Sequence, residues 1–166
     1  HAATVAAEIA SVDIFRDVPT SDKANPALIT VTDSSLDERY MEKVLEQAVN
    51  PDAIPAVADD MAIVYTPLHG TGATLVPQLL KKAGLKKLYT VDEQMVPDGN
   101  FPTVKFPNPE FPEAFALGRE IANKVGSDLI VASDPDADRV GAMAKDKNGE
   151  FHCITGNQMG ALLLEY

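Results

Sequence analysis

The stretch Ser133-Asp134-Pro135-Asp136-Ala137-Asp138-Arg139 places three carboxylates at alternate positions just after the apolar run 128–132. Like charges this close repel by about 1 kcal/mol at 4 Å in water and about 4 kcal/mol at an effective dielectric of 20, so the spacing asks for a positive partner. Aspartate oxygens on a turn beyond a buried strand suit a hard divalent cation such as Mg2+, which prefers oxygen ligands and leaves room for substrate phosphate. Arg139 adds a fixed cationic fork that matches phosphate geometry. A calcium loop of the EF-hand kind also begins with alternating aspartates, but it needs Gly at position six and a bidentate Glu at position twelve. Arg139 and Lys145 stand there, which excludes it. A solvated turn between two strands has the same composition, and spacing alone leaves that alternative open.

The elements that must carry this loop follow from periodicity. A short helical stripe covers 2–12, a polar loop runs through Pro19, Asn25 and Pro26, and a β-branched run at 27–33 reads as a first strand. Ser35 with Glu38 has capping-box spacing and opens a helix whose face carries Leu36, Tyr40, Val44, Leu45 and Ala48. A second buried strand at 61–65 runs into Thr66-Pro67-Leu68-His69-Gly70-Thr71-Gly72 and a helix ending at Gly84. Such a turn offers backbone N–H groups to an anion or to a neighbouring loop. His69 is a candidate contact for substrate phosphate, against the plainer role of fixing the turn through its own hydrogen bonds. A third strand at 87–92 precedes a proline-rich segment, 96–112, with Lys105 its only cation. That segment reads either as a surface loop packed by Phe101, Phe106 and Phe111 or as a loop facing substrate or another domain.

A helix through Phe115, Ile121 and Val125 stops at Gly126, and the strand 128–132 then delivers the acidic loop. The segments 140–145 and 150–154 form a hairpin around Asn148-Gly149, and His152 within it is a packing or solvent-facing residue rather than a ligand. Thr155 with Gln158 repeats the capping box and starts a last helix. Alternating strands and helices predict a three-layer α/β/α fold with a mixed, largely parallel sheet and right-handed crossovers. Ligands of open α/β sheets gather at the carboxyl ends of the strands, which is where the acidic loop falls.

Of 166 residues, 45% are hydrophobic, enough for one domain with a real core, and a net charge of −11 argues against nucleic acid and anionic membranes as partners. Cys153 is the single cysteine, which leaves no internal disulfide and fits a reducing cytoplasm. No apolar run has the length of a membrane span and no secretory signal is visible. The start at His1 and the final helix, ending before its apolar face is complete, suggest a fragment.

The stretch DPDADRVG after a hydrophobic strand resembles the metal-binding loop of the α-D-phosphohexomutases. TPLHGTG (Thr66 to Gly72), GNFPTVKFPNPE (Gly99 to Glu110) and ITGNQMGALLL (Ile154 to Leu164) fall in the matching order and resemble the phosphoglucomutase and phosphopentomutase branch. The resemblance implies that Asp134, Asp136 and Asp138 coordinate Mg2+, with Arg139 beside the metal and the phosphoryl group. It also implies a sugar phosphate substrate, whose phosphate moves between C1 and C6 of a hexose, or C1 and C5 of a pentose, through a bisphosphorylated sugar. In that family the phosphoserine, the sugar-recognition loop and a phosphate-binding loop lie on other domains, and none of their patterns occurs here. By the same resemblance, 1–26 reads as the tail of a preceding domain with its linker, 27–154 as the metal-binding second domain, and 155–166 as the start of a following domain or a terminal helix. Two other functions fit the residues: a stand-alone Mg2+-dependent sugar-phosphate phosphatase with an aspartate nucleophile, and a non-catalytic binding domain that kept the fold.

Overall fold

The computed structural model describes residues 1–18 and 32–166. The chain divides into two compact units, His1–Leu36 and Asp37–Tyr166. The first contains helix α1 (Ala2–Ser11), whose Val5 and Ile9 are exposed. The strand expected at 27–33 lies, up to residue 31, outside the described residues, as does the loop through Pro19, Asn25 and Pro26; Thr32 and Asp33 are in no strand.

Helix α2 (Ser34–Leu45) begins two residues earlier than the Ser35–Glu38 spacing suggests. Asp33 holds its first turn, accepting the Ser35 N–H at 3.0 Å, and Ser35, through its side chain first and its backbone N–H second, draws the Asp33 carboxyl below its ordinary value. Glu38, expected to close a capping box with Ser35, instead bonds the Lys82 ammonium at 2.8 Å. After a short helix α3 (Ala53–Val57) come β1 (Ala62–Thr66), α4 (Gly72–Lys82) and β2 (Lys87–Thr90). The proline-rich segment leads through a 3-10 turn at Pro112–Phe115 into α5 (Ala116–Val125). Gly126 caps that helix at φ 71°, a left-handed conformation that glycine adopts without a Cβ clash. Strand β3 (Leu129–Ser133), the hairpin β4 (Val140–Lys145) and β5 (Phe151–Ile154), and α6 (Gly156–Glu165) complete the order. Here the capping box of Thr155 and Gln158 forms in full. In the hairpin turn the Asp146 carboxylate accepts the N–H groups of Asn148 and Glu150 and faces His152 Nε2 at 3.1 Å.

The five strands lie in the order β2-β1-β3-β4-β5. β1 is parallel to both β2 and β3, β4 is antiparallel to its neighbours, and so four strands share one direction. The crossovers from β1 to β2 and from β2 to β3 step in opposite directions across β1, which puts α4 and α5 on opposite faces when both are right-handed. Residue contacts agree. A methyl built on Gly118 of α5 would lie 3.0 Å from Ile130, whereas one on Gly72 of α4 would lie 2.7 Å from Ser133 Oγ and against the Tyr65 hydroxyl. Ile130 pairs with Val64, and Tyr65 with Val131, so alternation points the two sets to opposite sides.

The principal core lies on the α5 face, where Val64, Ile130 and Ala132 pack with Leu68, Val91, Phe115 and Met143. The proline-rich segment adds Val104 and Phe101 to this core, while Phe106 and Phe111 stay exposed, their ring centroids 6.2 Å apart. Lys105 rests 5.4 Å from the Phe106 centroid. Pro109 lies against Gly141 of β4 so closely that a Cβ there would overlap the Pro109 backbone. Among the described residues no helix is long and apolar enough to cross a membrane.

Candidate metal centre

The connections after β1 and β3 leave in opposite directions, and their carboxyl ends form the switch point where open α/β sheets bind ligands. Two loops meet there. Loop 134–139 is the turn between β3 and β4, and it brings ligand atoms of Asp134, Asp136 and Asp138 within 4.8 Å of one another. Asp134 is 8% exposed; the other two carboxylates face solvent. The loop is shaped by its own first aspartate: Asp134 Oδ1 accepts the Arg139 N–H at 2.9 Å, and its carbonyl accepts the Ala137 N–H at 3.0 Å. Ala137 takes φ 62°, a left-handed position in which a residue with a Cβ is strained.

The electrostatics match the crowding. Asp136 first, and Asp134 after it, push the Asp138 carboxyl above its ordinary value, with Arg139 pulling weakly the other way. Arg139 Nε stands 3.8 Å from Asp134 and 3.9 Å from Asp138, long contacts made by a side chain that is more than half exposed. An all-oxygen donor set, charge-crowded and open on the solvent side, fits a hard divalent cation.

Loop 66–72 is its opposite in character. Thr66, Leu68, His69 and Gly70 are buried, and Leu68 and His69 both take left-handed backbone, φ 49° and 66°. Non-glycine residues in that region cost about 1–3 kcal/mol each and persist only where their surroundings hold them. A relay of hydrogen bonds does so here. The Leu68 N–H donates to Thr66 Oγ1 (3.1 Å), which donates to Gln94 Oε1 (2.6 Å). Gln94 Nε2 donates to Thr103 Oγ1 at 2.9 Å, and Thr103 lies 2.8 Å from His69 Nε2. His69 Nδ1 is 3.0 Å from the Val96 carbonyl, which only accepts, so the ring proton sits on Nδ1 and leaves Nε2 to accept from Thr103. The His69 main chain joins the same neighbours, donating to the Gln94 carbonyl and accepting from the Asp98 N–H.

His69, weighed as a phosphate contact against the plainer role of fixing the turn, is 4% exposed with both ring nitrogens bonded inside the protein. Its position ties the loop after β1 to the proline-rich segment. The structure brings Asp134, Asp136, Asp138 and Arg139 together on one loop, with His69 on the loop beside it. The neighbouring loop, rather than an anion, takes up the turn's donors: the N–H and the hydroxyl of Thr71 both donate to the Pro135 carbonyl, at 2.8 and 3.2 Å. Gly70 permits this approach, because a Cβ would overlap the Pro135 backbone. Beneath the acidic loop Tyr65 and Ser133 share a buried hydrogen bond of 2.8 Å, and burial pushes the Tyr65 phenol up.

Sequence reading did not single out Thr71, Gln94, Thr103 or the Tyr65–Ser133 pair. The pair occupies the carboxyl ends of adjacent strands and becomes visible once β1 and β3 are set in register. Gln94 and Thr103 carry no spacing signal.

An α/β/α domain with an acidic loop at its switch point is therefore the class to which this chain is assigned by its own geometry. The profile of phosphoglucomutase/phosphomannomutase, alpha/beta/alpha domain II, matches residues 38–149, and the chain belongs to that family. It is 40% identical over 150 residues to a phosphoglucomutase of Staphylococcus aureus (strain N315), a match that covers 90% of this chain and 26% of that protein. The chain thus spans about a quarter of the length of the curated relatives it matches. Among solved structures, a Thermus thermophilus protein assigned as a phosphomannomutase superposes with a TM-score of 0.53 at 25% identity, over 70% of this chain and 25% of that one. A phosphoglucomutase/phosphomannomutase family protein from Burkholderia thailandensis gives 0.52 at 23% identity, over 70% and 22%, a likeness of fold.

Proposed function

We propose that this chain is the Mg2+-holding domain of a phosphotransferase that interconverts a sugar 1-phosphate and 6-phosphate, or a pentose 1- and 5-phosphate, through a phosphoserine supplied outside it. The observation that carries the reading is the set of three carboxylate ligand atoms within 4.8 Å at the carboxyl ends of the parallel strands. Asp134, Asp136 and Asp138 hold the ion. Bound there, Mg2+ supplies positive charge beside the oxygens of the transferring phosphoryl group. Arg139, already on the loop, offers its guanidinium to a phosphate that displaces its long contacts with Asp134 and Asp138.

The acidic net charge makes nucleic acid and anionic membranes poor partners, and the lone Cys153 suits the cytoplasm. The domain alone turns over no sugar phosphate.

Amide NMR of this chain with millimolar Mn2+ tests the metal site. Broadening is expected from Asp134 to Arg139, spreading to Thr66–Gly72 and lost in Asp136→Asn. Sharp signals around the acidic loop at that concentration would overturn the reading. In the parent-length protein, Asp136→Asn should lower turnover of a sugar 1-phosphate on the order of 100-fold or more.

A further inference from the structure

The acidic loop has few ties of its own to the rest of the sheet. Beyond the Asp134 bonds that close it on itself, its link to another loop is the Pro135 carbonyl, between the first two aspartates. Both donors of Thr71 converge on that single oxygen. Thr71 follows closely on the two left-handed residues Leu68 and His69, and the relay through Gln94 and Thr103 holds those in place. The geometry points to Thr71 as a positioning residue for the carboxylates: it fixes where Pro135 sits, and with it the separation of Asp134 and Asp136. The relay behind His69 sets Thr71 in turn. This deepens the metal reading above and rests on it for its functional meaning, whereas the mechanical part stands without any ion.

The arrangement explains a feature that packing does not. Thr71 is exposed, so its side chain has no core to fill, yet its hydroxyl turns inward to a carbonyl that its own N–H already satisfies. A second donor on one carbonyl oxygen limits its swing, which a single bond leaves free.

The test compares this chain with Thr71→Val, Thr71→Ser and Thr103→Val by amide hydrogen exchange without metal, then by Mn2+ titration. Thr71→Val keeps the N–H and removes the hydroxyl. It should speed exchange at Ala137 and Arg139 by about three- to tenfold relative to strand amides of β1 and β2, and weaken Mn2+ broadening several-fold. Thr71→Ser, which keeps the hydroxyl, should restore both. Thr103→Val should move the same two amides in the same direction. Unchanged exchange at Ala137 and Arg139 in Thr71→Val, or a Thr71→Ser that behaves like Thr71→Val, would overturn the inference. Asp136→Asn separates the two ideas. If it leaves Mn2+ broadening intact, the metal reading fails while the exchange data still decide the positioning role.

Discussion

The two loops at the switch point solve opposite problems. Loop 66–72 is buried and strained, and its polar groups are paired in a directed chain from Leu68 to Val96. Loop 134–139 is mostly exposed and carries more negative charge than its surroundings offset. One has position without free chemistry, and the other has chemistry with little position of its own. The contrast teaches that a charge-crowded loop gains a fixed shape from a neighbour whose own hydrogen bonds are already complete. A half-satisfied neighbour would rearrange around the charge.

The contact between the loops is the place to break this division most severely. Gly70→Ala forces a methyl into the Pro135 backbone, and overpacking against main chain should cost about 3 kcal/mol or more in urea unfolding, with the acidic loop displaced. Gln94→Leu keeps the volume but removes the centre of the relay. The buried Thr66 hydroxyl then loses its acceptor, an expected loss of about 1–3 kcal/mol by the same measurement.

Asp138→Asn acts on the other loop and with the opposite sign. The folded carboxyl of Asp138 holds its proton to higher pH than the unfolded one, so its contribution favours the fold at low pH and is lost as pH rises through the raised value. The variant should therefore be slightly more stable than wild type at pH 7 without metal, and the difference should vanish as pH falls through the carboxylate range. Thermal melts with EDTA at several pH values read this, and a variant less stable at pH 7 would contradict it.

Much of this frame is legible in the sequence because it rests on local rules. From residue 61 onward, apolar runs of four to six residues, glycine stops and the Thr155–Gln158 box mark strands, helix ends and a cap that form. The exception is local too. The sequence spacing points to Ser35 as the cap, and the helix uses Asp33 instead, whose carboxylate accepts the Ser35 N–H. The acidic loop is legible because its residues are neighbours in the chain. The relay is not, since Thr66, Gln94 and Thr103 come from distant segments and nothing in their identity announces burial. Gly70 and Gly141 look like ordinary turn and strand residues until Pro135 and Pro109 are seen against them.

The order of strands in the sheet has a consequence in time. β3, β4 and β5 form a local meander in which the acidic loop is simply a hairpin turn, whereas β1 must find β3 across the whole of α4, β2 and α5. Loop-closure entropy falls more heavily on the second pairing, so the meander is expected to assemble first. During refolding the three aspartates therefore emerge on an early, loosely shaped turn. Thr71 arrives only when the parallel half docks, an order that pulse-labelled amide exchange would read as late protection of β1 and β2.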